Sequence, residues 1–522
     1  MSAERLAGGR THMCGALRAA DAGVDVVLAG WVARKRDHGG VIFLDLRDRE
    51  GFVQVVAHPE DSPDAHRAAE ALRMESVVRV SGRVRRRPEG TANPAISTGE
   101  VEVAAATVDV LSESDTPPFP IEDRVDVEEA LRLRYRYLDL RRPEMIRILR
   151  LRHRTLGAIR RFFDERGFVD VETPMLTKST PEGARDFIVP SRLQRGKVYA
   201  LPQSPQQFKQ LLMVAGFDRY YQIARCMRDE DLRADRHWEF TQLDMEMSFA
   251  IEEDVYGLLE SMFARLWNEV LGVDVPTPWP RLTYEESVAR FGTDKPDTRY
   301  GMELADLTKL FAGSGFRAFG RVVADGGEVR GLAAPGGAGW ARKDLDGLVQ
   351  EAKARGAAGL VWIAFAGDVA RSPVEKHLSP DEVAAVREAT GAGDGDLALL
   401  VADRPDRVAV ALDGLRRLMA DRLGLIPDGR WDFLWITDFP MFEWSDEEGK
   451  WVAKHHPFTM PATDDLDPAT AKARAYDIVL NGFELGSGSI RIHRPEIQSK
   501  VFDTLGLSRE DAEEKFGHML EA

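Results

Sequence analysis

Short apolar runs dominate the first hundred residues of the chain. Between about Val26 and Val110, segments rich in Val, Ile and Phe alternate with turns rich in Gly, Pro and Asp. About five strands at this spacing predict a small β-barrel, to which we assign residues 1–110. Residues 111–128 contain several prolines and acidic side chains and few apolar ones, so they are predicted to form a linker.

A helical pattern begins at Glu129. Apolar residues three and four apart continue towards Gly167, which predicts one long helix, and the strand-like segment FVDVETP follows it. Two further strand-like blocks, YYQIARCMRDE and FTQLDMEMSFA, flank the polar loop DLRADRHWE. This is the pattern of an antiparallel hairpin with a long charged tip. Residues 129–286 are therefore predicted to be the first part of a second domain.

The local composition changes again after Ser287. Residues 287–425 are rich in Gly and Ala and alternate strand-like with helical segments, whereas residues 426–522 return to a composition like that of residues 129–286. We interpret 287–425 as an inserted α+β domain and 426–522 as the second part of the interrupted one. The predicted fold class is therefore multi-domain α+β.

The composition is typical of a globular protein with several domains. With 522 residues, 44% of them apolar and 30% charged, the chain is predicted to form about three globular domains. It contains no apolar run long enough to span a membrane and no signal peptide at its start, so we expect a cytoplasmic protein. Cys14 and Cys226 lie far apart without metal-ligand spacing, which argues against disulfides and structural zinc.

Three segments carry candidate chemistry. The segment Gln203–Lys209 is polar and opens a helix, and a helix N-terminus suits an anionic ligand, although plain surface polarity explains it equally well. The hairpin carries Arg228, Asp229 and Glu230 before its tip and Arg236–Phe240 after it. These side chains could hold a nucleotide, or could form ion pairs on an exposed hairpin.

The third segment lies near the C-terminus. Asp477 and Glu484 are followed by a Gly-Ser run and by Arg491. Two carboxylates beside an arginine suit a magnesium-nucleotide site, although a glycine-bearing strand with solvated charges is the alternative. His455 and His456 are adjacent and have no third ligand at the usual spacing, which argues against zinc.

Four motifs together resemble the class II aminoacyl-tRNA synthetases, and among them the bacterial aspartyl enzymes. These motifs are GFVDVETP, QSPQQFKQ, the hairpin with its two arginines, and NGFELGSGSIRIH. The resemblance implies an OB-fold barrel, an antiparallel-sheet catalytic domain interrupted by the insertion, and activation of L-aspartate by ATP with Mg²⁺. It also implies a homodimer built around Pro174.

The resemblance implies roles for residues in the catalytic domain. Lys209 and Arg491 would hold the β-carboxylate of aspartate, and Arg228 and Glu230 would be catalytic. The remaining aspartate-binding residues would be Glu182, Ser204, Gln206, Arg228, Asp244 and His455. ATP would be bound by Arg228, Asp229, Glu230, His237, Phe240 and Glu484, and the magnesium ion by Asp477 and Glu484.

In the barrel, the resemblance implies that Phe43, Gln54 and Glu102 read the tRNA anticodon. His38 and Gly90 match the relatives that accept tRNA(Asn) as well as tRNA(Asp). We therefore expect both tRNAs as partners, with an amidotransferase converting Asp-tRNA(Asn) downstream. The formal net charge of −16 does not exclude tRNA, because the arginines at 34, 36, 83 and 85–87 make this segment locally basic.

One departure from the family leaves alternatives open. The third class II motif, with its ATP-binding arginine, would follow Ala522, so we expect a C-terminally truncated chain that is itself inactive, whereas the intact protein would be active. A non-catalytic tRNA-binding paralogue is one rival interpretation. A lysyl or asparaginyl relative is the other rival interpretation, but such a protein should lack the large insertion. A site that binds lysine would also require carboxylates in place of Lys209 and Arg491.

Overall fold

A computed structural model gives the structure of residues 9–179, 184–232, 236–367, 369–446, 448–464 and 466–522. The chain divides into two compact units, Met1–Gly157 and Ala158–Ala522. Throughout the described ranges, no helix combines the length and apolar character that crossing a membrane requires.

The first unit contains a closed five-stranded barrel, which confirms the predicted OB fold. Its strands follow the order β1-β2-β3-β5-β4, with β1 paired antiparallel to β4 and β3 paired parallel to β5. Inward side chains such as Leu28, Leu44 and Val80 are fully buried. The elements are β1 (Asp25–His38), β2 (Val41–Asp48), β3 (Gly51–Ala57), α1 (Pro63–Ala71), β4 (Val77–Arg86) and β5 (Val101–Ser112).

The prediction of one long helix from Glu129 to Gly167 is wrong. The segment forms α2 (Glu129–Arg134), α3 (Arg136–Asp139) and α4 (Pro143–Asp164). Tyr135 leaves the helical region, with φ −108° and ψ 45°, and Pro143 disfavours a helical conformation in the residue before it. The apolar periodicity does not register these breaks, because it continues across them.

The second unit holds two sheets that carry the predicted site residues. One has the order β10-β9-β6, and its β9–β10 pair is the predicted antiparallel hairpin; the other has the order β11-β17-β20-β21. The elements up to the insertion are β6 (Val169–Asp170), β7 (Ile188–Pro190), β8 (Val198–Ala200), α5 (Gln206–Val214), β9 (Arg219–Met227), β10 (Glu239–Met247), α6 (Glu252–Leu271), β11 (Arg281–Thr283) and α7 (Tyr284–Phe291).

After the insertion the chain returns to the same sheet. Trp435 on β17 is fully buried and donates from Nε1 to the Glu260 carboxylate at 3.0 Å, so its polar edge is satisfied inside the core. The elements are β17 (Phe433–Thr437), β18 (Phe442–Ser445), β19 (Lys450–Ala453), β20 (Ala475–Leu480), β21 (Phe483–Ser489), α13 (Pro495–Thr504) and α14 (Arg509–Glu521).

The Gly- and Ala-rich segment forms its own five-stranded sheet, with the order β12-β13-β16-β14-β15. Strand β16 is buried from Leu397 to Ala402, as expected for a central strand covered on both faces. The elements are β12 (Ala305–Asp306), α8 (Thr308–Phe311), α9 (Arg317–Ala324), β13 (Glu328–Ala334), α10 (Arg342–Ala354), β14 (Val361–Ala366), β15 (Val369–Arg371), α11 (Pro380–Thr390), β16 (Leu397–Asp403) and α12 (Pro405–Arg422).

Arg416 on α12 holds the loop that enters this sheet. Its side chain is fully buried, and Nη2 donates to the carbonyls of Asp297, Tyr300 and Gly301 at 2.7, 2.9 and 3.0 Å. Nε donates to the Met302 carbonyl at 3.2 Å. Main-chain carbonyls inside a protein need donors, so one guanidinium fixes the path of 297–302.

Replacing Arg416 with Met should lower the free energy of unfolding by about 2–4 kcal/mol, because these carbonyls lose their donors. Arg417→Met is the matched control on the same helix, since Arg417 forms an ion pair with the nearby Asp413 at 2.7 Å and its side chain is exposed. We expect about 0.5 kcal/mol for the control. Urea denaturation would measure both values, and equal effects would contradict this account of Arg416.

Candidate functional site

Lys209 is a buried lysine with two carboxylate neighbours. It lies one turn into α5, and its Nζ is 2.7 Å from Oδ1 of Asp244 and 3.4 Å from Oε2 of Glu246. These two carboxylates project from the same face of β10, since they are two residues apart. Burial alone would lower the pKa of Lys209, but Asp244 and Glu246 outweigh it and the pKa is raised. Lys209 therefore stays charged.

Arg491 lies just beyond β21 and approaches the same place. Its Nη2 donates to Oε1 of Gln206 at 2.9 Å, and its Nη1 donates to Oγ of Ser489 at 2.8 Å. Its Nε is 3.7 Å from Oε1 of Glu246, the carboxylate whose other oxygen faces Lys209. Two cations from distant parts of the sequence thus lie on either side of one carboxylate. Sequence reasoning missed Glu246.

Two neutral histidines lie in the same region. Burial, and next the neighbouring Lys454, lower the pKa of His455 to about 4, and its ring meets Phe439 edge-on with 4.6 Å between centroids. Burial followed by the positive charges of Arg491 and Lys209 lowers the pKa of His456 far below its usual value. Within the described ranges, neither Nε2 atom has a hydrogen-bond partner. His456, which the sequence analysis considered only as a metal ligand, adds a polar edge without adding charge.

Arg228 and Phe240 face each other across the β9–β10 hairpin. The Arg228 guanidinium carbon is 5.0 Å from the centre of the Phe240 ring, and the buried Nε has no hydrogen-bond partner among the described residues. The Arg228 main-chain N–H donates to the Trp238 carbonyl at 2.9 Å. The Glu230 carboxylate accepts from Arg236 at 3.3 Å. A planar cation, an aromatic face and a carboxylate are therefore grouped at the base of the hairpin.

The remaining predicted residues lie on this hairpin and just before α5. The Asp229 main-chain N–H donates to the Arg185 carbonyl at 3.0 Å, and the Arg185 side chain donates back to the Asp229 carbonyl at 3.1 Å. His237 is exposed beside the tip. Ser204 accepts from the main-chain N–H of Gln206 at 3.3 Å, at the start of α5. Glu182 lies outside the described residues.

Asp477 and Glu484 lie on the paired strands β20 and β21. Burial, then Glu484 and Asp294, raise the pKa of Asp477 well above its usual value. Its buried Oδ1 has no hydrogen-bond partner in the described structure. Lys295 Nζ is 3.7 Å from Glu484 and 3.4 Å from Asp294. Sequence reasoning missed Asp294 and Lys295, which lie within the segment that we assigned to the insertion.

The carboxylate pair suits a hard cation that keeps most of its ligands elsewhere. Among the described residues, no group of three or more His, Cys, Asp or Glu side chains has metal-binding geometry. The described residues therefore do not supply a complete set of metal ligands there. Magnesium bound by one or two carboxylates, phosphate oxygens and water does not need such a set, and the unpaired Oδ1 of Asp477 fits that chemistry.

A polar network crosses the barrel at the predicted anticodon residues. Gln54 Nε2 donates to one oxygen of Glu102 at 2.8 Å, and Arg85 donates to the other, also at 2.8 Å. Arg36 lies 3.4 Å from the Gln54 amide oxygen, and the half-buried Phe43 pairs with Arg36 across β1–β2. Gln54 and Glu102 therefore bond directly to each other and each contacts an arginine that sequence analysis noted only as part of a basic cluster, whereas Phe43 is their neighbour through the strand register.

His38 and Gly90 are exposed turn residues. His38 ends β1, and the next two residues, Gly39 and Gly40, have φ angles of +62° and +81°. These left-handed conformations favour glycine. Gly90, between β4 and β5, has a φ of +80°.

Two family profiles match the chain. The profile described as tRNA synthetases class II (D, K and N) covers residues 128–522, and the one described as OB-fold nucleic acid binding domain covers residues 26–111. The chain belongs to the class II tRNA synthetases of this group. The predicted family is thereby confirmed.

Curated relatives within the class II synthetases match at high identity. The chain is 56% identical over 518 residues to the Aspartate--tRNA(Asp/Asn) ligase of Moorella thermoacetica, an alignment that covers 98% of this chain and 86% of the relative. It is 52% identical over 518 residues to the ligase of the same name from Geotalea uraniireducens, covering 98% and 87%.

Solved synthetases share the fold. The asparaginyl-tRNA synthetase of Pyrococcus horikoshii, complexed with asparaginyl-adenylate, aligns with a TM-score of 0.59 at 18% identity, over 98% of this chain and 90% of that one. The aspartyl tRNA synthetase of Entamoeba histolytica aligns with a TM-score of 0.56 at 18% identity, over 96% and 82%. At this identity the likeness supports the class II fold alone.

Proposed function

We propose that this protein is an aspartate–tRNA ligase that activates L-aspartate with ATP and transfers it to tRNA(Asp) and tRNA(Asn). The observation that carries the proposal is the convergence of Lys209 and Arg491 on the Glu246 carboxylate, at 3.4 and 3.7 Å. A substrate carboxylate that took the place of Glu246 between these two cations would meet the same two positive charges. The curated relatives are named for this activity.

Aspartate fits these charges better than its neutral analogue. We assign its β-carboxylate to Lys209 and Arg491, and its ammonium group to Gln206 and Asp244. Asparagine would leave the buried cations with an amide in place of a charge, and its amide N–H groups would face donors. Sites that pair a buried polar group reject analogues lacking that group by about 10⁴-fold or more. Glu182, Ser204 and the neutral His455 complete the proposed aspartate site.

The hairpin residues suit ATP. We assign the adenine ring to the face of Phe240, its amino group to Glu230, and the α-phosphate to Arg228, whose buried Nε has no partner in the described structure. Asp229 and His237 border the same site. Asp477 and Glu484 would hold Mg²⁺, which supplies charge neutralisation at the phosphates.

The reaction needs positioning and charge stabilisation rather than a protein nucleophile. An α-carboxylate oxygen of aspartate bonds to the α-phosphorus of ATP, and the bond to pyrophosphate breaks. A ribose hydroxyl at the tRNA terminus then attacks the acyl carbon of the adenylate, AMP leaves, and the hydroxyl proton is lost to solvent. Arg228 would bridge the carboxylate and the α-phosphate during the first step.

The main test is aspartate-dependent ATP–pyrophosphate exchange by the full-length protein. We expect exchange with aspartate and not with asparagine or lysine. Lys209→Met and Arg491→Met should each lower the rate by about 10³-fold or more, because each removes one of the two cations assigned to the β-carboxylate of aspartate. Lys472→Met is the control, since Lys472 forms a surface ion pair with Glu285 at 3.1 Å, and its rate should stay within about twofold of wild type.

Other outcomes of this assay would contradict the proposal. Exchange supported by lysine or asparagine alone would identify a different member of the same family. Folded protein that gives no exchange with any amino acid would favour a tRNA-binding paralogue.

The barrel is proposed to recognise both tRNAs. Phe43 would stack on an anticodon base, and Gln54 and Glu102 would read base edges, with stacking contributing about 1–3 kcal/mol per base. The exposed turns at His38 and Gly90 would admit the anticodon of tRNA(Asn). An amidotransferase would then convert the Asp-tRNA(Asn) product.

Charging of separate tRNA(Asp) and tRNA(Asn) transcripts with labelled aspartate tests this breadth. We expect kcat/KM values within about tenfold of each other for wild type. His38→Ala should lower charging of tRNA(Asn) by about tenfold more than charging of tRNA(Asp), a difference of about 1.4 kcal/mol in recognition. Normal charging of tRNA(Asp) without any of tRNA(Asn) would restrict the activity to aspartate's own tRNA.

A homodimer is proposed from exposed apolar side chains at one end of the β10-β9-β6 sheet. Val169 on the short edge strand β6 is 43% exposed, and Phe217 and Phe249 on the neighbouring turns are 42% and 101% exposed. Phe249 also has a φ of +59°, which is unfavourable for a bulky residue. Pro174, Met175 and Leu176 lie in the segment after β6, which ends at Asp170. This apolar edge would be covered by a second copy of the chain.

Sedimentation equilibrium would test the dimer. Wild type should sediment at twice the chain mass of 58.2 kDa. Phe249→Asp should weaken association by about 10- to 100-fold, because it buries an unpaired charge in an apolar interface. Val410→Asp is the control, at a 56% exposed position on α12, and should not change the mass. A monomeric wild type would refute the dimer.

A further inference from the structure

A buried carboxylate joins the barrel to the segment that leads into α4. Glu75 is 6% exposed and accepts hydrogen bonds from two arginines. Arg47 Nη2 lies 2.9 and 2.7 Å from its two oxygens, and Arg141 Nη1 lies 2.7 Å from Oε2. Arg47 belongs to β2, whereas Arg141 lies between α3 and α4, 66 residues beyond Glu75. One carboxylate therefore ties two regions of the first unit together.

The main chain fixes the position of Glu75. It lies in the turn between α1 and β4 with a φ of +66°, and its N–H donates to the Val32 carbonyl on β1 at 2.8 Å. A non-glycine residue in the left-handed region costs free energy, so it persists where surrounding contacts hold it. The Glu75 carboxylate is thus a preorganised acceptor, already neutralised from within the barrel by Arg47.

Arg141 makes a second contact with the barrel. Its guanidinium carbon is 5.1 Å from the centre of the Trp31 ring on β1. Arginine can donate in its plane to a carboxylate while its face lies over an aromatic ring, a combination that restricts both its position and its orientation. Lateral displacement of the α3–α4 segment along the barrel would break both contacts.

Two further arginine–carboxylate pairs hold the same regions together. Arg150 on α4 donates to both oxygens of Glu50 at 2.6 and 2.7 Å, and Arg34 on β1 donates to Glu122 at 2.6 Å. Both pairs are more exposed than the Glu75 cluster and contribute less individually. Together the contacts span the segment from Glu122 to Arg150.

We propose that Arg141, bound to Glu75 and Trp31, is a positioning residue for tRNA aminoacylation that holds the segment between α3 and α4 against the anticodon-binding barrel. The inference rests on the proposed function, in which the barrel binds the tRNA anticodon. Adenylate formation needs no tRNA, and anticodon binding needs the barrel alone. Charging of intact tRNA requires one molecule to reach both the barrel and the catalytic domain, so it should depend on how the connecting segment that contains Arg141 is held against the barrel.

Arg141→Gln tests the inference with little risk to folding, because Glu75 keeps Arg47 inside the barrel. Arg132→Gln is the matched control. Arg132 is exposed to the same extent as Arg141, 30% against 29%, but pairs at 3.8 Å with Asp139 of its own segment. Each variant of the full-length protein is measured for aspartate-dependent exchange, for binding of an anticodon stem–loop RNA, and for charging of full-length tRNA(Asp). Arg141→Lys restores the ion pair.

For Arg141→Gln we expect exchange and stem–loop binding within about twofold of wild type, and a five- to tenfold loss of kcat/KM for tRNA charging. Arg132→Gln should match wild type in all three assays, and Arg141→Lys should recover part of the loss. Equal charging by the Gln variants at 141 and 132 would overturn the inference. So would a parallel loss of stem–loop binding, which would make Arg141 a stabiliser of the barrel. A wild type without aspartate-dependent exchange would instead overturn the proposed function.

Discussion

Lys209 carries a positive charge into the interior of the catalytic unit, and the surrounding site is arranged around it. A buried ammonium group is costly unless carboxylates and hydrogen-bond acceptors surround it. Asp244 supplies the close contact at 2.7 Å, and Glu246 shares its carboxylate with Arg491 on the other side. The two histidines beside these cations are neutral, because burial and the neighbouring positive charges oppose their protonation. The pocket is thus nearly balanced before any substrate enters.

This balance has a consequence for selectivity. A carboxylate that enters between Lys209 and Arg491 competes with Glu246 for the same cations, so binding is an exchange of ionic partners rather than the filling of an empty cationic hole. An amide cannot complete this exchange, because it brings no negative charge and presents N–H groups to donors. On the proposed function, discrimination against asparagine would therefore derive from Glu246 as well as from the two cations, because asparagine would leave Glu246 paired with them.

Some elements and site residues could be predicted from the sequence, and others could not. The barrel followed from alternating apolar runs, and the hairpin followed from two strand-like blocks around a polar loop. Lys209 and Arg491 were paired by resemblance, since no periodicity relates residues so far apart. Glu246 had a local signal, because β10 alternates and Asp244 lies two positions before it on the same face. Lys295 and Arg416 had no local sequence signal, because their partners depend on the path of the loop that precedes the inserted sheet. The breaks at Tyr135 and Pro143 lay inside an unbroken apolar pattern, and Pro143 was the signal that should have outweighed it.

The barrel follows the same principle as the catalytic pocket. The chain carries a net charge of −16, yet the barrel presents arginines at its predicted anticodon residues, and these are held by Glu102 and Gln54 before RNA arrives. A base that took the place of the Gln54–Glu102 or the Arg85–Glu102 contact would replace an internal hydrogen bond of 2.8 Å, so only a base edge with matching donors and acceptors would recover the loss. Phosphate attraction contributes little to such a choice, since it is the same for every base. On the proposed function, both the aspartate site and the anticodon site would therefore bind by exchanging satisfied partners, which would make recognition depend on geometry more than on total charge.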